Sequence, residues 1–169
     1  MKMKFSTRQL TLLALWSAVA IAISAFEGML PVTPLMPPGT KAGLSNVVVM
    51  FLAAEVSLPA AIAVAIFKSV FALAVRGATA CVMSLAGGLL SCLVLWLAAR
   101  SRAFGCVGIG IAGATAHNVA QLCVAFILVG GSIRFYAPVM LLLGILSGIV
   151  TALLLKLLTP MMKKLLKER

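Results

Sequence analysis

The stretch EGMLPVTPLMPPGTKAGLSN, residues 27 to 46, interrupts a chain that is otherwise strongly apolar. It holds four of the seven prolines, one of the three acidic residues and one lysine. Proline lacks an amide donor and its ring collides with the preceding turn, so the stretch cannot continue a helix. Residues 27–41 also exceed the ~2–8 residues that antiparallel helices need for a connection. They predict a stiff outer loop that closes over a helical bundle as a lid, with a plain connector as the alternative.

The composition requires lipid as the solvent for most of this chain. Of its 169 residues, 63% are hydrophobic and only 10% are charged, whereas soluble domains carry about 25% charged residues. Too little polar surface is present to cover a globule. The sequence therefore predicts an all-α integral membrane protein, with residues 1–169 forming a single transmembrane domain.

The apolar runs predict six membrane helices, each span needing ~20 apolar residues. Residues 42–75 are too long for one helix across a core of ~30 Å. Glu55 followed by Ser-Leu-Pro at 57–59 indicates a helix end and a new helix start, so we divide this region and predict a short second helix. The predicted helices are 10–26, 42–54, 58–75, 79–99, 105–129 and 135–158.

The basic residues support an even number of spans. With six helices, both termini and the loop at 100–104 lie in the cytoplasm and carry ten lysines and arginines, whereas the outer loops carry only Lys41, Arg76 and Arg134. Positive residues concentrate on the inner side of membrane proteins. We therefore expect a multi-pass protein of the plasma membrane. An N-terminal signal peptide is the alternative for the first run, but its removal would leave five spans.

The charge of +11 does not indicate nucleic acid, because the basic residues lie between apolar runs and at the ends, as topology signals do. The four cysteines have no CxxC spacing and are interpreted as small packing residues. No metal site and no cofactor are expected.

Lys68 is the most unusual residue in the predicted spans. It lies eight residues before Arg76, about 12 Å below the outer end of its helix. A lysine at that depth needs an anionic or carbonyl partner. Glu27, a cluster of backbone carbonyls and a bound ligand are the candidates, and a side chain that reaches up to the interface is a further alternative.

The segment AHNVAQ, residues 116–121, places His117, Asn118 and Gln121 on one helix face by i,i+3 and i,i+4 spacing. Hydrogen bonds between helices would explain these residues, and a ligand-binding face would explain them equally. A lone histidine could also be an axial ligand of a porphyrin.

Cationic residues surround the predicted outer opening. Lys41, Arg76 and Arg134 lie there, with Tyr136 beside them and Asn46 just inside the second helix. This rim suits a ligand that carries an anionic or phosphate group. Charges that merely face lipid headgroups are the competing interpretation.

Helix 1 carries a face of small residues, Ala14, Ala18 and Ala22, at four-residue spacing. Such a face allows close approach of another helix, either within the bundle or from a partner. No catalytic constellation is visible, because the chain has no P-loop, no HExxH and no paired acids within a span. We do not expect an enzyme.

Several segments together resemble a known family. FEGMLPVTPLMPPGTKAGLSNVVVMF, FKSVFALAVRG, SLAGGLLS and GIAGATAHNVAQL, in that order, resemble the Gx transporter family, also named heptaprenyl diphosphate synthase component I. That family is similar to substrate-binding S components of energy-coupling factor (ECF) transporters, which are ABC importers for vitamins and cofactors.

The resemblance implies a role and partners. An S component captures a small molecule outside and delivers it inward with a T component and two ATPases. The resemblance implies that loop 1 closes over the ligand, that Lys68, Asn46, His117 and Asn118 form the site, and that Ala14, Ala18 and Ala22 dock onto the T component. The alternative is a non-catalytic membrane accessory subunit of prenyl diphosphate or quinone biosynthesis, because three scattered acids cannot hold the Mg²⁺ ions of a synthase.

Overall fold

The computed structural model describes residues 7–29, 43–101 and 103–167. These residues are almost entirely helical. The elements in chain order are α1 (Thr7–Met29), α2 (Asn46–Phe51) with a π-helical turn (Leu52–Val56), α3 (Leu58–Arg76), α4 (Ala78–Ser101), α5 (Cys106–Val129), a 3-10 turn (Gly131–Tyr136) and α6 (Ala137–Lys167). The prediction of an all-α chain is confirmed for this part of the protein.

Within the described ranges, five helices are long and apolar enough to cross a membrane. They contain spans of 19 to 27 residues, and ~20 residues cross a hydrocarbon core of ~30 Å. The chain is a multi-pass membrane protein. The second helix is shorter: α2 and its π-helical turn contribute 6 and 5 residues, about 16 Å at 1.5 Å per residue. This segment reaches about halfway across the core, so the sixth span stays a prediction.

The break between α2 and α3 lies at Ser57. Its backbone is extended, and its hydroxyl accepts a hydrogen bond from the amide of Ala60. Pro59 occupies the first turn of α3, where its missing amide costs nothing. The amide of Ser57 donates to the carbonyl of Leu52, which closes the wider π-helical turn. This local chemistry ends the short helix and starts α3.

The short α2 lies in the middle of the bundle. It contacts all five long helices, and all six of its residues are buried. Trp16 of α1 packs against Phe51 with ring centroids 5.5 Å apart. A short helix that is apolar apart from Asn46 and is surrounded by longer ones places its N-terminus inside the bundle, where the polar residues of the neighbouring helices can reach it.

Glycines allow α5 and α6 to approach closely. A Cβ atom added to Gly148 would lie 2.6 Å from the Cα of Ile111, and one added to Gly110 would lie 2.5 Å from the carbonyl oxygen of Gly148. Gly144 faces α5 as well: a Cβ atom added to it would lie 3.1 Å from Asn118 Nδ2. The glycines of α6 therefore serve packing within the bundle.

The loop that was predicted as a lid is only partly described. Glu27 and the two residues after it belong to α1, so the helix continues beyond the predicted end at 26. Residues 30–42, including Lys41, lie outside the described part of the chain. The lid stays a prediction.

Topology has a direct test. In a variant whose four native cysteines have been replaced, a cysteine at the exposed position of Ser101 should react with a membrane-impermeant maleimide only after the cells are opened. The reason is the excess of basic residues on the predicted inner side. A cysteine at Ser132 in the 3-10 turn should react in intact cells. Labelling of position 101 from outside would contradict the six-helix topology.

Candidate functional site

Glu27 connects the end of α1 to the start of α2. Its side chain is buried, and its carboxylate accepts hydrogen bonds from the backbone amides of Gly43 and Leu44 and from the hydroxyl of Ser45. A carboxylate at a helix N-terminus is favoured by the helix dipole. Gly43 has a φ of 92°, a conformation that suits glycine. Glu27 therefore fixes the point at which the chain returns from residues 30–42.

Lys68 joins the same network from α3. Its side chain is 2% exposed, and its ammonium donates to Asn46 Oδ1 at 2.8 Å and to Ser45 Oγ at 3.2 Å. Ser45 Oγ in turn donates to Glu27 Oε2 at 3.5 Å. The buried cation and the buried anion are thus connected through one hydroxyl group. We call Glu27, Ser45, Asn46 and Lys68 the charged cluster.

His117 of α5 lies beside the charged cluster. A Cβ atom placed on Gly43 would be 3.1 Å from Asn46 Nδ2 and 3.8 Å from the His117 ring. On the opposite side the ring packs on Gly87 of α4, where an added Cβ would lie 2.7 to 3.0 Å from three ring atoms. The imidazole therefore occupies space that only a glycine on α4 leaves free.

This contact predicts the effect of Gly87→Ala. The new methyl group should displace the His117 ring and lower the free energy of unfolding by ~1–3 kcal/mol, the usual cost of overpacking. Thermal denaturation in detergent would measure it. In a His117→Ala background the same change should cost much less. Gly131→Ala is the matched control, because no neighbouring atom of the described residues lies within 4 Å of its added Cβ. Equal effects of Gly87→Ala with and without His117 would contradict this packing.

Asn118 and Gln121 are also buried but have different surroundings. Asn118 Nδ2 donates to the carbonyl of Met140 on α6 at 2.7 Å, so its amide nitrogen connects two helices. Within the described ranges, no partner is present for Asn118 Oδ1, Gln121 Oε1, His117 Nδ1 or Asn46 Nδ2. Buried polar atoms are nearly always hydrogen-bonded. Counting Thr115 Oγ1, five unpartnered atoms of the described residues lie on α2 and α5, and they indicate a place that can accept a polar ligand.

The other predicted rim residues lie apart from the charged cluster. Arg134 is exposed, with its guanidinium 5.2 Å from the Phe135 ring centroid, and it lines an apolar pocket of about 440 Å³ at the end of α5. Tyr136 packs against the buried group of Met83, Ala125 and Ile133. The described contacts of both residues are with the α4, α5 and α6 ends.

Arg76 lies at the end of α3, closer to Glu27. It lines a second pocket, of about 280 Å³, with residues of α1 and α3 that include Ser24, Gly28 and Phe71. Its side chain is partly buried. Of the predicted outer cations that are described, Arg76 is the one beside the α1 end.

Helix α1 has two distinct faces. Trp16, Ala20 and Glu27 are buried toward the bundle, whereas the predicted docking residues Ala14, Ala18 and Ala22 are all exposed. The small residues of this stripe therefore do not pack within the described part of the chain.

The sequence pointed to Gly87 and Gly88 as small residues for close helix packing, but it did not identify Gly87 or Ser45 as part of the site. Ser45 precedes a short helix in LSN, a position where serine is common for local reasons. Gly87 stands next to Gly88 in an apolar run and resembles other close-packing glycines. Ser45 contacts Glu27 and Lys68, and Gly87 contacts His117. These partners are distant in the sequence, so only the fold reveals the contacts.

Comparison with known proteins gives one match. A family model described as heptaprenyl diphosphate synthase component I matches residues 16–158. No curated protein and no solved structure matches the chain. The words "component I" imply partner subunits and a component other than the synthase itself. The resemblance seen in the sequence is confirmed, and the chain belongs to the heptaprenyl diphosphate synthase component I family.

Proposed function

We propose that the protein is the substrate-binding S component of an ECF-type importer. It would capture a small vitamin-like or cofactor-like molecule outside the plasma membrane and pass it inward with a T component and two ATPases. The observation that carries this proposal is the set of unpartnered polar atoms beside the charged cluster. Polar groups within a membrane bundle are costly and commonly mark substrate sites.

The connection from Glu27 to Gly43 and Leu44 supports the lid function of loop 1. The carboxylate holds the returning end of the loop next to Lys68 and His117. A ligand that enters from outside would pass between the loop and the helix ends. Movement of the loop would therefore change the surroundings of the same residues that face the ligand.

The exposed alanine stripe of α1 supports docking to a T component. A bundle that needed Ala14, Ala18 and Ala22 for its own packing would bury them. Exposed small residues leave the α1 backbone accessible to a helix of another membrane protein.

An anionic part of the ligand would meet the outer cations, of which Arg76 is nearest to the α1 end.

The second candidate is a non-catalytic accessory subunit of prenyl diphosphate or quinone biosynthesis. The family description favours it, because it names a synthase component. The chain has three acidic residues: Glu27 is engaged with backbone amides, Glu55 lies at the end of the π-helical turn, and the third is at position 168. Diphosphate sites need clustered carboxylates for Mg²⁺, so catalysis would belong to a partner.

Purification from native membranes separates the two proposals. The tagged chain should copurify with a membrane subunit and a pair of ATPases, identified by mass spectrometry, together with a bound small molecule. An untagged strain is the control for nonspecific proteins. Recovery of a soluble prenyl diphosphate synthase, without ATPases, would overturn the importer proposal and support the accessory role.

A further inference from the structure

We propose that the part of the ligand seated against Asn46, His117, Asn118 and Gln121 is an uncharged group with both hydrogen-bond donors and acceptors, such as the edge of a cyclic imide or lactam. This inference rests on the proposed binding function and specifies its substrate class. It follows from the donors and acceptors that the site leaves open and from the charge already present there.

Two of the open atoms are acceptors. Asn118 Nδ2 donates to the carbonyl of Met140, and a carbonyl oxygen can only accept, so the other atom of this amide is an oxygen. Gln121 Oε1 is a second buried oxygen, and no partner for either is present among the described residues. Both oxygens need an N–H or O–H group. Carboxylates and the dianions of phosphate monoesters carry no such donor and would place lone pairs against lone pairs.

Another open atom is a donor. Asn46 Oδ1 accepts from the Lys68 ammonium, which identifies Asn46 Nδ2 as the amide nitrogen. This nitrogen is buried and has no partner within the described ranges, so it needs an acceptor such as a carbonyl oxygen. His117 Nδ1 accepts or donates a hydrogen bond according to its tautomer, so it can pair with a donor or with an acceptor of the ligand. The ligand group must therefore combine donors and acceptors.

The charge balance excludes a second anion at this depth. Lys68 already faces Glu27 through Ser45, with hydrogen bonds of 3.2 and 3.5 Å. Adding a carboxylate to this pair would bury a net negative charge, which is costly in a medium of low dielectric constant. An uncharged head leaves the Glu27–Lys68 balance intact. Any anionic part of the ligand would then lie farther out, on the side of Arg76.

The spacing on α5 suits a single ring. Residues 117 and 121 are one helical turn apart, about 6 Å along the axis, and position 118 lies beside them at i,i+3 to Gln121. A six-membered imide alternates N–H and C=O groups around a ring of similar size. One such ring matches the one-turn spacing of His117 and Gln121 along α5.

Small-molecule probes test this inference without partner proteins. Saturation-transfer NMR on the purified full-length chain in nanodiscs would use uracil, which has donors and acceptors, 1,3-dimethyluracil, which has acceptors only, and benzoate, which is an anion with acceptors only. We expect saturation of uracil alone. Saturation of benzoate or dimethyluracil equal to that of uracil, or no uracil signal, would overturn the inference.

A variant locates the binding. Gln121→Leu removes an acceptor that has no described partner, so the fold should stay intact, while uracil should bind about tenfold more weakly for the lost hydrogen bond. Thr151→Ala is the control, because its buried hydroxyl donates to the carbonyl of Gly148 in its own helix and is not among the unpartnered polar atoms of the described residues. Unchanged uracil binding to Gln121→Leu would overturn the assignment. The importer proposal would be unaffected, because it is tested by the copurified ATPases.

Discussion

Lys68→Met is expected to destabilise the fold by ~3–5 kcal/mol, the cost of removing one member of a buried charge pair. The change leaves the Glu27 carboxylate buried with its negative charge no longer balanced. It also removes the donor to Asn46 Oδ1 and Ser45 Oγ. Denaturation of the purified protein in detergent, followed by circular dichroism, would measure the loss.

Adding Glu27→Gln to Lys68→Met should recover a large part of that stability. Glutamine keeps an acceptor oxygen for the amides of Gly43 and Leu44 but carries no charge. The two changes therefore should not add, because both act on one network through Ser45. Lys156→Met, at an exposed position of α6, is the matched control and should have little effect.

The opposite result has a clear meaning. A Lys68→Met protein that melts like the wild type but no longer binds any ligand would show that Lys68 serves a ligand rather than Glu27. Additive losses for Glu27→Gln and Lys68→Met would likewise contradict the connection through Ser45.

The helical membrane fold was predictable because its cause is local. Runs of apolar residues, proline and glycine at the breaks and basic residues at the ends are all visible in the sequence. The short second helix was also predicted, from residues 42–75 and the Ser-Leu-Pro signal. Its π-helical turn at Leu52–Val56 was not predicted, since it depends on how α2 fits among five neighbours.

The candidate site was predictable by residue type but not by contact. Lys68, Glu27 and Asn46 stood out because polar groups are rare within membrane spans. The bridging role of Ser45 depends on contacts across 18 and 23 residues of sequence, which no local pattern encodes. The same holds for Gly87, which matters because the His117 ring of another helix packs against it.

The outer rim shows a further limit of the sequence. Arg76, Arg134 and Tyr136 were grouped because all lie near the outer ends of predicted helices. Height along the membrane normal follows from the spans, but position around the bundle follows from helix packing. Arg76 is therefore beside α1, whereas Arg134 and Tyr136 contact the ends of α5 and its neighbours.

Ala18→Trp is expected to abolish assembly with a T component while leaving the isolated protein folded. The side chain of Ala18 is exposed, as are those of Ala14 and Ala22. A tryptophan there would face lipid in the isolated chain and cost little. Against a docked helix it would separate two backbones that need close approach, which small residues permit.

Pull-down of the T component and uptake in cells would measure assembly. Thermal denaturation and uracil binding on the same purified variant would measure the fold and the site. Ala74→Trp is the matched control, because Ala74 is an equally small, exposed residue on a different helix, α3. It should assemble normally.

The two uses of the stripe predict opposite combinations of results. Packing within the bundle would make Ala18→Trp overpacked, with a loss of ~1–3 kcal/mol in folding and a parallel loss of binding. Docking predicts normal folding and binding with no assembly, because the charged cluster faces the opposite side of α1 from Ala18. Assembly that survives tryptophan at both Ala18 and Ala22 would end the docking proposal, since no close helix approach could then involve this face.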